Sequence, residues 1–174
     1  LISLVERLNP GHLTATTPCS ASDVRGMLSH TLQSIEAFSA AVDGGPGPDE
    51  AEVFSGRDML GTDPMEVTNR IIERSHSAWS GVTDWDGTLT TVLGPMPAGQ
   101  AIAIITFSTL VHGWDLATAM GESREFSDEE NAVGRAVADQ LVPMTRPQGL
   151  FGPEVPSPPA ASPTQKLLAV TGRA

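Results

Sequence analysis

Apolar residues recur along this chain at the three- and four-residue spacing of a helix face, and clusters of glycine and proline cut the recurrence into segments. Leu1, Leu4, Val5 and Leu8 make the first set, ended by Asn9-Pro10-Gly11. A helix of about eight residues is marginal alone, so this segment reads as the end of a helix whose N-terminal half lies upstream of residue 1. Val24, Met27, Leu28, Thr31, Ile35 and Phe38 make the second stripe. Ser20 or Ser22 is the expected cap, with Asp23 in the first turn. The stripe stops at Asp43-Gly44-Gly45-Pro46-Gly47-Pro48, and residues 44–62 read as a long, mobile loop.

A third helix begins at Asp63, with Pro64 at N1 and Glu66 completing a capping box. Val67, Ile71, Ile72, Ser75 and Trp79 follow on one face, and Gly81 ends it. Asp84-Trp85-Asp86-Gly87 is a turn signal; Leu89, Val92 and Leu93 predict a short strand or hairpin, closed by Gly94-Pro95-Met96-Pro97. The fourth helix runs from Ala98 to Met120, with Gly121 after it, and is apolar nearly all round, as a buried central helix is. Ser127 and Glu130 open a fifth helix that turns Val133, Val137 and Leu141 inward. Residues 143–159 are rich in proline and glycine and are expected to run extended. Ser162, Pro163 and Gln165 start a last short helix that buries Leu167 and Leu168 and ends at Gly172. The pattern predicts an all-α protein, one domain over residues 1–174.

Charge narrows the partners. The 174 residues carry 10 Lys+Arg against 21 Asp+Glu, a formal net charge of −11. Such a surface repels phosphate backbones and anionic lipid, which argues against nucleic acid and membrane and for a small-molecule ligand. Cys19 is the only cysteine, so no intrachain disulfide forms and a cytoplasmic location is the default. No run of about 18 apolar residues and no signal-peptide pattern stands out.

Four histidines are the main candidates for chemistry. His112 lies mid-way along the most apolar helix, and His30 flanks the stripe of the second. If those helices are neighbours, the two imidazoles converge, as in sites built inside helical bundles; the plainer reading is two core histidines, each satisfied by a hydrogen bond. Asp115, three residues after His112, shares nearly the same face and needs a partner in such apolar surroundings. His12 and His76 read as surface residues, and Cys19 as a packing residue. There is no nucleophile elbow, glycine-rich phosphate loop or Cys-x-x-Cys.

Three ordered stretches carry a family resemblance: Thr17-Pro18-Cys19 with Asp23-Val24-Arg25 and Leu28-Ser29-His30; Leu110-Val111-His112-Gly113-Trp114-Asp115-Leu116-Ala117; and Phe151-Gly152-Pro153-Glu154-Val155-Pro156 with Leu167-Leu168-Ala169. In this order and spacing the chain resembles the DinB-like superfamily, in its mycothiol-dependent maleylpyruvate isomerase group. The resemblance implies a four-helix bundle, up-down-down-up, with a long crossover between its second and third members. Here that fold would carry an extra C-terminal helix and the short hairpin. It further implies thiol-dependent isomerase or S-transferase chemistry with mycothiol and a zinc or nickel ion. The ligand on the second helix maps to His30 and the last ligand to His112. The remaining one, four residues before His112, falls on Ser108, where relatives have His, Glu or Asp. Ser22 stands where relatives often have tryptophan. The family's maleylpyruvate isomerases carry a further C-terminal domain for which this chain has no room. A homodimer fits the fold.

Two functional expectations follow. One is a mycothiol-dependent isomerase or S-transferase acting on a small electrophilic metabolite, with a divalent metal at His30 and His112 lowering the pKa of a bound thiol or water. The other is a metal-free bundle in which His30, His112 and Asp115 bind a small ligand or do acid–base work, with Trp114, Met27 and Phe107 lining the pocket. A structural or interaction role, through residues 44–62 or the proline-rich tail, is a third class with no positive signal.

Overall fold

Helix α2 (Val24–Asp43) forms because its apolar positions recur at helical spacing and both ends are marked. Asp23 is its N-cap, accepting from the Gly26 backbone N–H at 2.8 Å, and Gly44 ends it at a positive φ of 68°. The cap is therefore Asp23, one residue beyond the expected Ser22; Ser20 lies outside the described residues. The computed structural model describes residues 1–19 and 22–173. They group into two compact units, residues 1–122 and 123–174.

In the first unit α2 packs against α4 (Pro64–Ser80) and α5 (Ala98–Ala119), and a single turn, α1 (Ile2–Val5), packs on the same two helices. These four are the bundle members of the expected all-α fold. The core is the predicted one on α2: Val24, Met27, Leu28, Thr31, Ile35 and Phe38 are all buried. The first helix is shorter than expected, with only Leu4 and Val5 of its stripe fully buried.

Residues 44–62 are not the featureless loop expected. Asp49 and Glu52 form a reciprocal capping box that nucleates α3 (Glu50–Val53), and Val53 and Leu60 are 3% and 0% exposed. Three anchors hold this strap to the start of α2. Arg25 bonds Asp58 at 2.8 Å and the Gly61 carbonyl at 3.3 Å, the Met59 backbone N–H donates to Ser29 at 3.3 Å, and Val53 bonds His30.

β1 (Thr88–Thr91) and β2 (Gly94–Pro97) form an antiparallel hairpin with Thr88 opposite Pro97 and Leu89 opposite Met96. The Gly-Pro-Met-Pro run thus supplies the second strand rather than merely closing the first; in a two-stranded edge its prolines forfeit no central ladder bond. Trp85, before the hairpin, stacks on Trp79 of α4, with ring centroids 6.4 Å apart and planes within 3°.

α5 is the predicted central helix. Against expectation it is long and apolar enough to cross a membrane, yet more than half of it is buried inside the fold, where Asp115 is fully enclosed. That is the signature of a bundle's core helix.

In the second unit α6 (Asp128–Thr145) opens on the predicted Ser127–Glu130 capping box. It buries Gly134, Val137, Ala138 and Val142, whereas Val133 is 41% exposed and Leu141 half-buried, so the inward face is rotated from the expected one. Small residues set that face: a Cβ on Gly134 would lie 2.5 Å from Leu167 Cδ2 on α7 (Pro163–Val170). α6 also continues through Pro143, three residues into the segment expected to be extended, and a 3-10 turn at Arg146–Gln148 follows. α7 has the predicted cap, Ser162 with Gln165.

Candidate functional site

α2 and α5 bring His30 and His112 together. Their ring centroids are 5.4 Å apart and their planes meet edge to face at 84°. Each ring is held at Nδ1. His30 Nδ1 lies 2.9 Å from the Val53 carbonyl, and a carbonyl only accepts, so Nδ1 carries the proton. His112 Nδ1 lies 3.2 Å from Asp115 Oδ2, one helical turn on, and donates to that carboxyl oxygen. Hydrogen-bond complementarity thus places a proton on Nδ1 of both rings, which in neutral His30 leaves the lone pair on Nε2. Among the described residues neither Nε2 meets a hydrogen-bond partner.

Burial sets the charge state of His30. Desolvation pushes its pKa below the ordinary value; the Val53 carbonyl opposes that shift and the neighbouring His112 adds to it. At neutral pH His30 is a neutral imidazole, able to accept a proton. Asp115 is 0% exposed and orients His112 as a carboxylate orients a catalytic imidazole.

The structure brings His30, His112 and Asp115 together, and sequence reasoning missed what lies beside them. The Phe54 ring stands 5.6 Å from that of His30, tilted by 37°, while Phe54 stays 49% exposed. Val53 and Phe54 come from the strap, and the Asp49-x-x-Glu52 spacing was the signal that this segment folds. Of the expected pocket lining, Met27 and Phe107 are 2% and 1% exposed and belong to the closed core; Trp114 is half-buried. His76 is exposed, as expected. His12 is half-buried and tied to Asn9, with Asn9 Nδ2 and His12 Nε2 3.0 Å apart. Cys19 is half-buried. Two open grooves run along α4, lined by Ile72, His76, Ser80 and their neighbours; neither includes His30 or His112.

Two imidazoles with anchored Nδ1–H and open Nε2 are half of what a divalent metal needs. Ser108 is one turn before His112 on α5 and half-buried, and it offers only a neutral hydroxyl. Among the described residues no three His, Cys, Asp or Glu side chains are placed to hold a metal. Asp115 is already engaged at Nδ1 of His112, the wrong side of that ring for a shared ion. The donor set does not fit a zinc or nickel ion.

Comparison with known proteins follows this geometry. The sequence model of the mycothiol maleylpyruvate isomerase N-terminal domain matches residues 1–117. Two curated relatives, the uncharacterized proteins MT0763 and Rv0738 from two strains of Mycobacterium tuberculosis, are each 36% identical over 102 residues, 57% of this chain and 56% of theirs. The chain therefore spans about half the length of the curated relatives it matches. The crystal structure of a histidine-to-alanine mutant of the mycothiol-dependent maleylpyruvate isomerase superposes with a TM-score of 0.63 at 15% identity, covering 88% of this chain and 68% of that one. At that identity the likeness speaks for the fold. With the family model spanning two-thirds of the sequence, this chain belongs to the mycothiol maleylpyruvate isomerase N-terminal domain family.

Proposed function

We propose that this protein is a mycothiol-dependent isomerase or S-transferase that acts on a small electrophile at the His30–His112 pair, without a resident metal. The observation that carries the reading is the tautomer pair. Both rings are anchored through Nδ1 and lie side by side with centroids 5.4 Å apart, and burial lowers the pKa of His30. A neutral imidazole in hydrogen-bond reach of a thiol is a general base. Nε2 of one histidine takes the S–H proton, and the thiolate attacks the β-carbon of an α,β-unsaturated acid, forming the S–C bond as the C=C π pair moves to the neighbouring carbon as an enolate. In a transfer the proton is then delivered to the neighbouring carbon of the adduct. In an isomerisation the adduct rotates, the S–C bond breaks, and the thiol recovers its proton. Asp115 keeps His112 in the tautomer these steps need and stabilises its imidazolium when it holds the proton.

The test is loss of free mycothiol, or isomer conversion, with maleylpyruvate and a panel of small α,β-unsaturated acids. Wild type is compared with His30→Ala and His112→Ala, each with and without chelator. Turnover that survives chelation and falls about 100-fold or more in either variant supports the reading, since general acid–base groups supply 10²–10⁴-fold. Turnover abolished by chelator and restored by zinc contradicts the metal-free step; equal turnover in the histidine variants contradicts the site.

A further inference from the structure

Gln33 lies one turn beyond His30 on α2 and is 5% exposed. Its Oε1 has no hydrogen-bond partner among the described residues. A buried acceptor left unpaired costs about 1–3 kcal/mol, and folds seldom keep one without a use. Exchanging the oxygen and nitrogen of the carboxamide does not remove the problem, because whichever atom takes that position meets the same surroundings.

The strap meets α2 on either side of this residue. At one end Gly47 presses on α2, where a Cβ would lie 2.5 Å from Ala40 Cβ and 3.7 Å from Ala37 Cα. At the other end the Val53 carbonyl meets His30. Residues 30, 33, 37 and 40 share one face at helical spacing, so Gln33 sits between the two crossing points. A purely structural crossover would favour leucine there, which has the same bulk and no acceptor to desolvate. The polar group is on the face of α2 that also carries His30, under the segment that covers it.

We propose that Gln33 is a further ligand-binding residue of the His30–His112 site, its carboxamide oxygen accepting a hydrogen bond from a hydroxyl or amide N–H of the bound thiol. The assignment rests on the thiol-dependent reading above. The strap covers the group in the free protein and uncovers it when the ligand enters. Gln33 thus trades stability for recognition, as groups in binding sites do.

The trade makes the proposal testable without a turnover assay. Gln33→Leu and Gln33→Met, apolar residues of similar volume, are compared with wild type in a thermal melt and in calorimetric titration with mycothiol. Expected is a Tm equal to or above that of wild type in both variants, together with a roughly tenfold weaker mycothiol Kd. A lower Tm in both variants overturns the proposal, because it assigns Gln33 to the fold. An unchanged Kd overturns it while leaving the thiol reading intact. Wild-type protein that binds no mycothiol overturns the thiol reading itself, and this assignment with it.

Discussion

Replacing Ser108 by aspartate should convert the histidine pair into a zinc site. Ser108 and His112 are four residues apart on α5, hence about 6 Å apart along the axis and on one face. His30 brings its ring centroid to 5.4 Å from that of His112. Both histidines are already in the ligating tautomer, so the substitution adds a donor without reorganising the others. Four-ligand structural zinc sites bind with roughly 10–16 kcal/mol, or about 2.5–4 kcal/mol per ligand. A third ligand therefore tightens zinc binding by about 3 kcal/mol, which is roughly two orders of magnitude. Repulsion from the buried carboxylate of Asp115, about two turns on, trims that gain and leaves its sign. The assay is competition between chelator-stripped protein and a chromophoric zinc chelator. Wild type, Ser108→Asp, the neutral isostere Ser108→Asn and the double variant Ser108→Asp/His112→Ala are compared. Tight binding confined to Ser108→Asp is expected. Equal affinity in Ser108→Asp and Ser108→Asn would refute the convergence of these three positions.

Further predictions concern the frame around the site. Asp58→Asn breaks the Arg25 ion pair but keeps an oxygen for the Leu60 N–H; for a part-exposed pair worth up to ~1 kcal/mol, chymotrypsin cleavage after Phe54 should rise by up to about fivefold. Cleavage no faster than in wild type would show that the strap does not depend on this anchor. Asp43 is held at a pKa of about 2, below its ordinary 3.8, by the Arg74 guanidinium at 2.9 and 3.0 Å and by the Gly45 N–H. A carboxylate with a lowered native pKa stabilises the fold above the unfolded value and loses that contribution as pH falls toward the native one. Asp43→Asn should therefore flatten the decline of stability between pH 3.8 and about 2, measured by urea melts at stepped pH; an unchanged slope would contradict the assignment. Gly134→Ala gains about 1 kcal/mol of helix propensity but overpacks Leu167 by about 1–3 kcal/mol, a net loss that should reverse to a gain in a Leu167→Ala background. The same sign in both backgrounds would show that Leu167 is not what limits position 134.

Local signals were legible in the sequence wherever the chemistry is local. Asp63-Pro64, Ser127 with Glu130 and Ser162 with Gln165 each start the helix they announce, because capping needs only residues within one turn. The α2 stripe identifies its core because one periodic face is buried. The pairing of His112 with Asp115 was legible because a polar group in an apolar helix needs a partner. What escaped the sequence depends on tertiary packing. Pro143 reads as a breaker, yet α6 accommodates it near its C-terminus. The inward face of α6 is chosen by small residues, Gly134 and Ala138, that let α7 approach, so hydrophobicity alone pointed to Val133 instead. Residues 44–62 are glycine- and proline-rich, and their order comes from side chains of α2, Arg25, Ser29 and His30, more than twenty residues away. Gln33 is an ordinary polar residue until its burial and its unpartnered oxygen are seen.

The most direct test of the account is a long-range proton–nitrogen NMR spectrum of the imidazoles in chelator-treated protein near pH 7.5. The geometry predicts that His30 and His112 both show a protonated Nδ1 and an unprotonated, pyridine-like Nε2, lost together with the assigned residue in His30→Ala and His112→Ala. An Nε2–H tautomer in either ring would put its lone pair on Nδ1, against Val53 or Asp115, and would contradict the base assigned to this site.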